Sequence, residues 1–346
     1  MSRRKKEKTN RKVIFLLLVS FALPGCGSAR HDQKYSETKM LMGTIVKIDV
    51  CLDQARLSEI KDAYVGVWKR LEDISSRMSF FNEHGDVARI NQSGLNPVSV
   101  GEDTYDVLKE SKGFSRLTDG AFDVTVGPLV ELWKESERNN SLPSQEEISE
   151  TLSAVGPDNV QLLAEQHVRL LNLKTRIDLG GIAAGYAVDE AARLFRRQGI
   201  TRFFIDVGGD IYVGGKNCSG EPWCIGIRDP RDVSKIIDIV QVTDKSVTTS
   251  GDYEKFYVIG GHQWSHIINP VTGYPQEDVT SATVIADRAV ATDALATALC
   301  VLGGEEGTKR IDALSGQYAS LIIVKQESGD IRKWESEEYK KYKYKK

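Results

Sequence analysis

SHIINPVTGYPQEDVTSATVIADRAVATDALATALCVLGG, residues 265–304, carries a histidine, a tight turn, a strand and a small-residue helix in that order. Val279–Ala286 reads as a strand that leads into the Ala/Leu-rich run behind it, which has helical composition. On that helix Asp293 and Thr297 sit four apart, so both oxygens project from one face, one turn above the other. A carboxylate over a hydroxyl is a hard, oxygen-only pair. Such a pair suits Mg²⁺, which takes one or two protein oxygens and completes its octahedron with water and substrate phosphates. The implied ligand is a phosphate ester or anhydride. Upstream, Asn269-Pro270-Val271-Thr272-Gly273 reads as a tight turn that would hold His266, on the preceding strand, at the mouth of the site. Alone, Asp293 and Thr297 read more readily as an ordinary helix-surface pair, and His266 as a strand residue satisfied by its neighbours.

Outward from this stretch the chain alternates short strands with helices. Strands are predicted at 223–227, 236–242, 246–249 and 255–259, with Gly260-Gly261 turning into 263–268, and 318–324 closes the series. Residues 176–179 read as a strand, and Gly180-Gly181-Ile182-Ala183-Ala184-Gly185 opens a helix that continues through Phe195. A strand, a glycine pair and a helix N-terminus can accept an anion, although this is neither a Walker A loop nor a full GxGxxG. Further strands are expected at 203–207 and 211–213, and a hairpin at 160–163 and 168–173.

Towards the N-terminus, a strand begins near Met42-Gly43-Thr44, with Val46, Ile48 and Val50 on one face. Ile60, Val67, Leu71 and Ile74 recur at helical spacing through 58–76. Residues 78–91 break that period, and the adjacent Phe80 and Phe81 suit either a core edge or a flat ring system. Ser99 with Glu102 has the form of a capping box opening a helix towards Leu117, and Ser144 with Glu147 has the same form in a polar surface excursion. Between them, Gly120-Ala121-Phe122-Asp123 marks a close backbone approach or a simple strand entry.

The 346 residues are 40% hydrophobic and 27% charged, ordinary globular material for one large domain or two small ones. The first 25 differ: a basic start, an apolar run from Val13 to Leu23, then Leu23-Pro24-Gly25-Cys26. This reads as an export signal, too short to span a bilayer, with Cys26 in the position of a lipidated mature N-terminus. The alternative is an uncleaved N-terminal anchor; both place the folded part outside the cytoplasm. Without residues 1–25 the chain has 39 basic and 48 acidic residues, net −9, which argues against nucleic acid as a partner. Residues 26–34 read as a tether, 35–330 as the folded domain and 331–346 as a basic flexible tail. Cys218 and Cys224 are close enough in sequence to pair, whereas Cys51 and Cys300 lie in apolar contexts suited to buried thiols.

Taken together, these blocks resemble the ApbE family of flavin transferases. The resemblance rests on Met42-Gly43-Thr44, the 78–91 block, GAFDVTVGPLVELW at 120–133, IDLGGIAAGYAVD at 177–189, the IDVGGDIYVGG and IGIRDP blocks, the SHIINPVTGYP turn and TDALATALCVLG. It implies an α+β, T-fold-like architecture, with mixed or antiparallel sheets and helices in two lobes around a central FAD cleft. It implies Mg²⁺-dependent cleavage of FAD, with Mn²⁺ as a substitute, transfer of the FMN half to a Thr or Ser hydroxyl of an acceptor protein, and release of AMP. By the same resemblance, Asp293 and Thr297 are metal ligands together with the backbone of Gly181, and Ala296 lies on the metal side of the helix. Met42, Phe81, Ala121, Phe122, Asp123, Asp178, Ala184 and His266 would line the FAD pocket, with His266 as general base. Phe81 and Ala184 depart from residues frequent in the family, Tyr at the first and Lys or Glu at the second, so weaker FAD binding is expected. Two rival readings are an FAD pyrophosphatase giving FMN and AMP, and a non-catalytic FAD-binding lipoprotein. The acceptor expected from the family is a membrane redox subunit. The expected location is the periplasmic face of a membrane, the inner more than the outer, held by the lipid on Cys26.

Overall fold

The structure is a computed structural model that describes residues 33–52, 57–80, 82–252, 255–314, 316–326 and 328–345. The expected signal, Cys26, the tether as far as Asp32, and Phe81 lie outside the described residues. In chain order the elements are β1 (Gln33–Leu41), β2 (Thr44–Leu52), α1 (Leu57–Met78), α2 (Asp86–Gln92), β3 (Val98–Ser99), α3 (Glu102–Leu117), α4 (Gly127–Asn139) and α5 (Gln145–Leu152). There follow β4 (Val160–Leu163), β5 (His167–Leu170), α6 (Ala183–Arg197), β6 (Phe203–Val207), β7 (Asp210–Gly214), β8 (Trp223–Asp229), β9 (Asp232–Val242) and β10 (Lys245–Gly251). The chain continues through β11 (Phe256–Ile259), β12 (His262–Ser265), β13 (Val279–Ala286), α7 (Ala289–Leu302), α8 (Gly304–Asp312), β14 (Ala319–Lys325) and β15 (Ile331–Glu335).

Eight strands form one sheet in the order β1-β2-β6-β7-β10-β13-β14-β15, every neighbouring pair antiparallel. The period of two along each strand assigns its faces. In β10, Ser246 and Thr248 bond Thr292 of α7, while Val247 between them packs among the residues of the β8–β9 hairpin. One face of the sheet therefore carries α1, α6 and α7; the other carries β8–β9 with Val213, Ile285, Leu321 and Ile323. Helix α7 is apolar nearly all round because it lies inside this layering, where small alanines let neighbours approach. The β1–β2 turn is a two-residue loop, Met42 and Gly43, with φ of 53° and 73°. Two left-handed residues match the twist of a tight hairpin, and a non-glycine there costs about 1–2 kcal/mol.

Several expectations change. Ser99 pairs with His167 in a short sheet and caps nothing; the N-cap of α3 is Gly101. Asp86, from α2, takes the capping role by accepting the Gly101 N–H at 2.9 Å and the Thr104 hydroxyl at 2.8 Å. That helix itself lies in the stretch expected to be irregular. The Ser144/Glu147 box forms in both directions. Residues 176–179 make only an isolated bridge, Arg176 to Val126.

The segment 331–346 is not a free tail. β15 completes the sheet against β14, and Tyr339 is fully buried. Three of its lysines mislead because they meet carboxylates: Lys340 meets Glu337 at 2.7 Å, Lys341 meets Glu338 at 2.6 Å and Lys343 meets Glu335 at 2.7 Å.

The cysteine pairing also differs. Cys51 is bonded to Cys218 across 167 residues, Cys224 is an exposed thiol and Cys300 a buried one. Sheet topology explains this, since β2 and β7 both pair with β6, at Val50–Phe203 and Phe203–Gly214, so the ends of all three converge. Closing so long a loop restricts the unfolded chain. A Cys51→Ser, Cys218→Ser protein is expected to lose about 2–4 kcal/mol of stability. At this chain length that is a fall of about 3–6 °C in melting temperature. A melting curve unchanged by the double substitution would refute the brace.

Candidate functional site

Two helices meet at a distance only glycine permits. A Cβ on Gly185 of α6 would lie 2.3 Å from the Ala289 carbonyl oxygen and 2.8 Å from Asp293 Cβ on α7. Gly185 N–H donates to Asp293 Oδ2 at 2.9 Å. Just before α6, a Cβ on Gly181 would come 3.0 Å from Thr297 Oγ1 and 3.4 Å from Phe122 Cε2. The Gly181 backbone thus lies against Thr297 and the Phe122 ring, and Asp293 stands one turn from Thr297 on α7. Gly185→Ala would drive a methyl into backbone. The expected result is a loss of about 3 kcal/mol or more in chemical denaturation, and a wild-type midpoint would contradict this packing.

Asp293 is 5% exposed. Burial pushes its carboxyl up from the usual range to about 7, against the single bond from Gly185. It has no ion-pair partner among the described residues, and a buried carboxylate without one is a strong acceptor for a cation. Donors present beside it are a hydroxyl and a peptide group, all hard oxygen. Among the described residues no group of three or more His, Cys, Asp or Glu is placed to hold a metal. One buried carboxylate with a hydroxyl one turn away on the same helix is a donor set that fits Mg²⁺, with water and substrate oxygens completing the shell.

His266 directly follows β12, one residue beyond the strand expected to hold it. Its Nδ1 lies 2.9 Å from the Lys255 carbonyl oxygen. A carbonyl can only accept, so Nδ1 bears the proton and Nε2 is left as the basic nitrogen. Burial pulls the imidazole's pKa down, and Asp178 is near enough to pull it the other way. The turn behind it forms as expected: Asn269 Oδ1 accepts from Val271 N–H at 2.8 Å and Thr272 N–H at 3.2 Å. Gly273 takes φ of +78° there, and its carbonyl accepts the Trp133 indole N–H at 2.9 Å.

The remaining expected residues sit as follows. Ala121, Phe122 and Asp123 lie in the bend between α3 and α4, all buried. Asp123 is tied down by Thr125, whose N–H and hydroxyl reach Oδ1 at 2.8 and 2.7 Å. Asp178 N–H donates to the Val124 carbonyl at 2.8 Å, stitching this bend to the Gly180–Gly181 loop. Ala184 is half-buried in the first turn of α6, and Ala296 is fully buried inside α7. Met42 is half-buried against the main core at the β1–β2 turn. A cleft of about 560 Å³ opens among Phe80, Ala88, Asn91, Glu131 and Arg176. It is not centred on Asp293, but Asn91 in its wall exchanges two hydrogen bonds with the Ile177 backbone, next to Asp178.

The sequence reading missed Gly185, whose signal was its spacing of four from Gly181. It also missed the hydroxyl chain Asp210–Thr248–Thr292–Ser246 beneath α7, which has no signature in linear order.

This architecture has known counterparts. The chain overlays the ApbE protein of Thermotoga maritima with a TM-score of 0.81 at 35% identity, covering 90% of this chain and 100% of that one. The flavin transferase ApbE of Vibrio cholerae gives 0.79 at 30% identity, with 90% and 99% covered. The FAD:protein FMN transferase of Escherichia coli K12 is 30% identical over 344 residues, 95% of this chain and 96% of that protein. That of Vibrio cholerae is 32% identical over 306 residues, covering 87% and 90%. Residues 42–322 match the ApbE family as a whole. The chain belongs to the ApbE family and is an enzyme of the transferase class.

Proposed function

We propose that this chain transfers the FMN half of FAD to a Thr or Ser hydroxyl of an acceptor protein, with Mg²⁺, and releases AMP. The observation that carries the reading is the buried Asp293 carboxylate, without a counter-ion among the described residues, one turn from Thr297, which lies against Gly181. Relatives with 30% identity or more over most of the chain are named for this transfer. Mg²⁺, when bound, supplies charge neutralisation on the pyrophosphate oxygens. Asp293, Thr297 and the Gly181 carbonyl would hold it. His266 Nε2 takes the proton of the incoming hydroxyl as its oxygen bonds to the FMN phosphorus. The bridging P–O bond breaks and AMP leaves. Asp178, close to the imidazole, steadies the positive charge that forms there. Phe122, packed edge-on to Phe114 at 6.4 Å, is a fixed wall beside the Gly181 loop.

The chain is further proposed to work outside the cytoplasm, lipid-anchored through Cys26, on a membrane redox subunit as acceptor. The Cys51–Cys218 bridge supports this, because such bonds persist in oxidising compartments. Among the described residues no helix is long and apolar enough to cross a membrane. The test is mass spectrometry of co-expressed acceptors for an FMN adduct on Thr or Ser, with Mg²⁺ and FAD supplied. Stoichiometric AMP release without an acceptor would replace the proposal with hydrolysis. FAD binding with neither product would replace it with storage.

A further inference from the structure

Helix α6, with the loop just before it, runs antiparallel to α7 in contact at three levels, each four residues from the next. At the first level Gly181 meets Thr297, and at the second Gly185 meets Asp293. At the third level Asp189 meets the start of α7: its Oδ1 accepts the Ala289 N–H at 2.7 Å and its Oδ2 the Val290 N–H at 3.1 Å. These are two of the four donors a helix leaves unpaired at its N-terminus. The N-cap residue of α7, Arg288, makes no side-chain cap of its own. The cap therefore comes from the neighbouring helix, on the same row of α6 that faces the metal pair. Arg288 lies 3.7 Å from Asp189 and also pairs with Glu110 at 2.8 Å, so the carboxylate has a cation beside it.

We infer that Asp189 is a positioning residue that sets the axial register of α7 against α6, and so brings Asp293 and Thr297 level with Gly181. The inference rests on the metal reading of those three residues. With both Asp189 oxygens engaged, α7 can neither slide along α6 nor tilt away without leaving two N–H groups unpaired in a buried place. A helix displaced by a fraction of a turn would keep its fold and spoil the cation site. Outer partners of this kind typically change metal affinity by about 10–100-fold when removed.

The experiment titrates the full chain with Mn²⁺ alone, read by electron paramagnetic resonance, in wild type, Asp189→Asn and Arg288→Ala. Asp189→Asn retains one acceptor oxygen of two, and its Mn²⁺ Kd is expected to rise about tenfold or more. Arg288→Ala removes the charge but not the two N–H bonds, and its Kd stays within twofold. In turnover assays the Mn²⁺ concentration for half-maximal rate rises with Asp189→Asn, while the KM for FAD at saturating Mn²⁺ is unchanged. Should Asp189→Asn fail to fold by near-ultraviolet circular dichroism, Asp189→Ser, whose hydroxyl can still accept one N–H, is held to the same criterion. A folded variant whose Kd lies within twofold of wild type overturns the role of Asp189 alone. Absence of Mn²⁺ binding by the wild type removes the metal reading beneath it.

Discussion

Asp293→Ala is expected to lower metal-dependent turnover by on the order of 10³-fold, since the ion's work on the pyrophosphate amounts to several kcal/mol. The fold should survive, because the lost group is a buried carboxylate whose charge the metal-free protein bears at a cost. The pH dependence gives a second check. Burial lifts the carboxyl from 3.8 to about 7, so the folded protein holds a proton that the unfolded chain releases. Such a group makes metal-free stability fall as pH rises between those two values, and the slope ends above the upper one. In EDTA, the melting temperature of Asp293→Ala relative to wild type should therefore climb across that window and then level. Wild-type rates in the variant, or a flat difference across the window, would end the assignment.

The second large effect is expected at His266. His266→Gln keeps an N–H for the Lys255 carbonyl but offers no basic nitrogen, and kcat should fall about 10²–10⁴-fold. Since burial depresses the imidazole's pKa below 6.5, wild-type activity should hold to lower pH than for an ordinary histidine. It should then drop as the ring is protonated, and the variant's residual rate should lack that acid limb. Retention of the limb would place the base elsewhere.

Much of this was legible in linear order because local rules and fold agreed. The Asp293/Thr297 spacing, the Asn269 turn, the Ser144 cap and most strand positions depend on residues within a few places of each other. What failed depended on distant partners. Asp86 caps α3 from outside the helix, so Ser99 and Glu102 only imitated a box. Lysine content hid β15 and the buried Tyr339, because the carboxylates that neutralise those lysines do not show as pairs until the chain turns. The cysteine partner was decided by two strands sharing β6, not by proximity in sequence. Gly185 shows the limit for the site itself: its role follows from what stands 2.3 Å away on another helix.

The bond between Cys51 and Cys218 makes a covalent ring of everything between them. Phe122, Asp178 and Gly181 are inside that ring, while His266, Asp293 and Thr297 come from the open strand of chain beyond it. A protease cut anywhere within the ring leaves every piece tethered. A cut shortly after Cys218 frees the part that carries His266, Asp293 and Thr297, so what stays joined after limited digestion depends on which side of the knot is nicked.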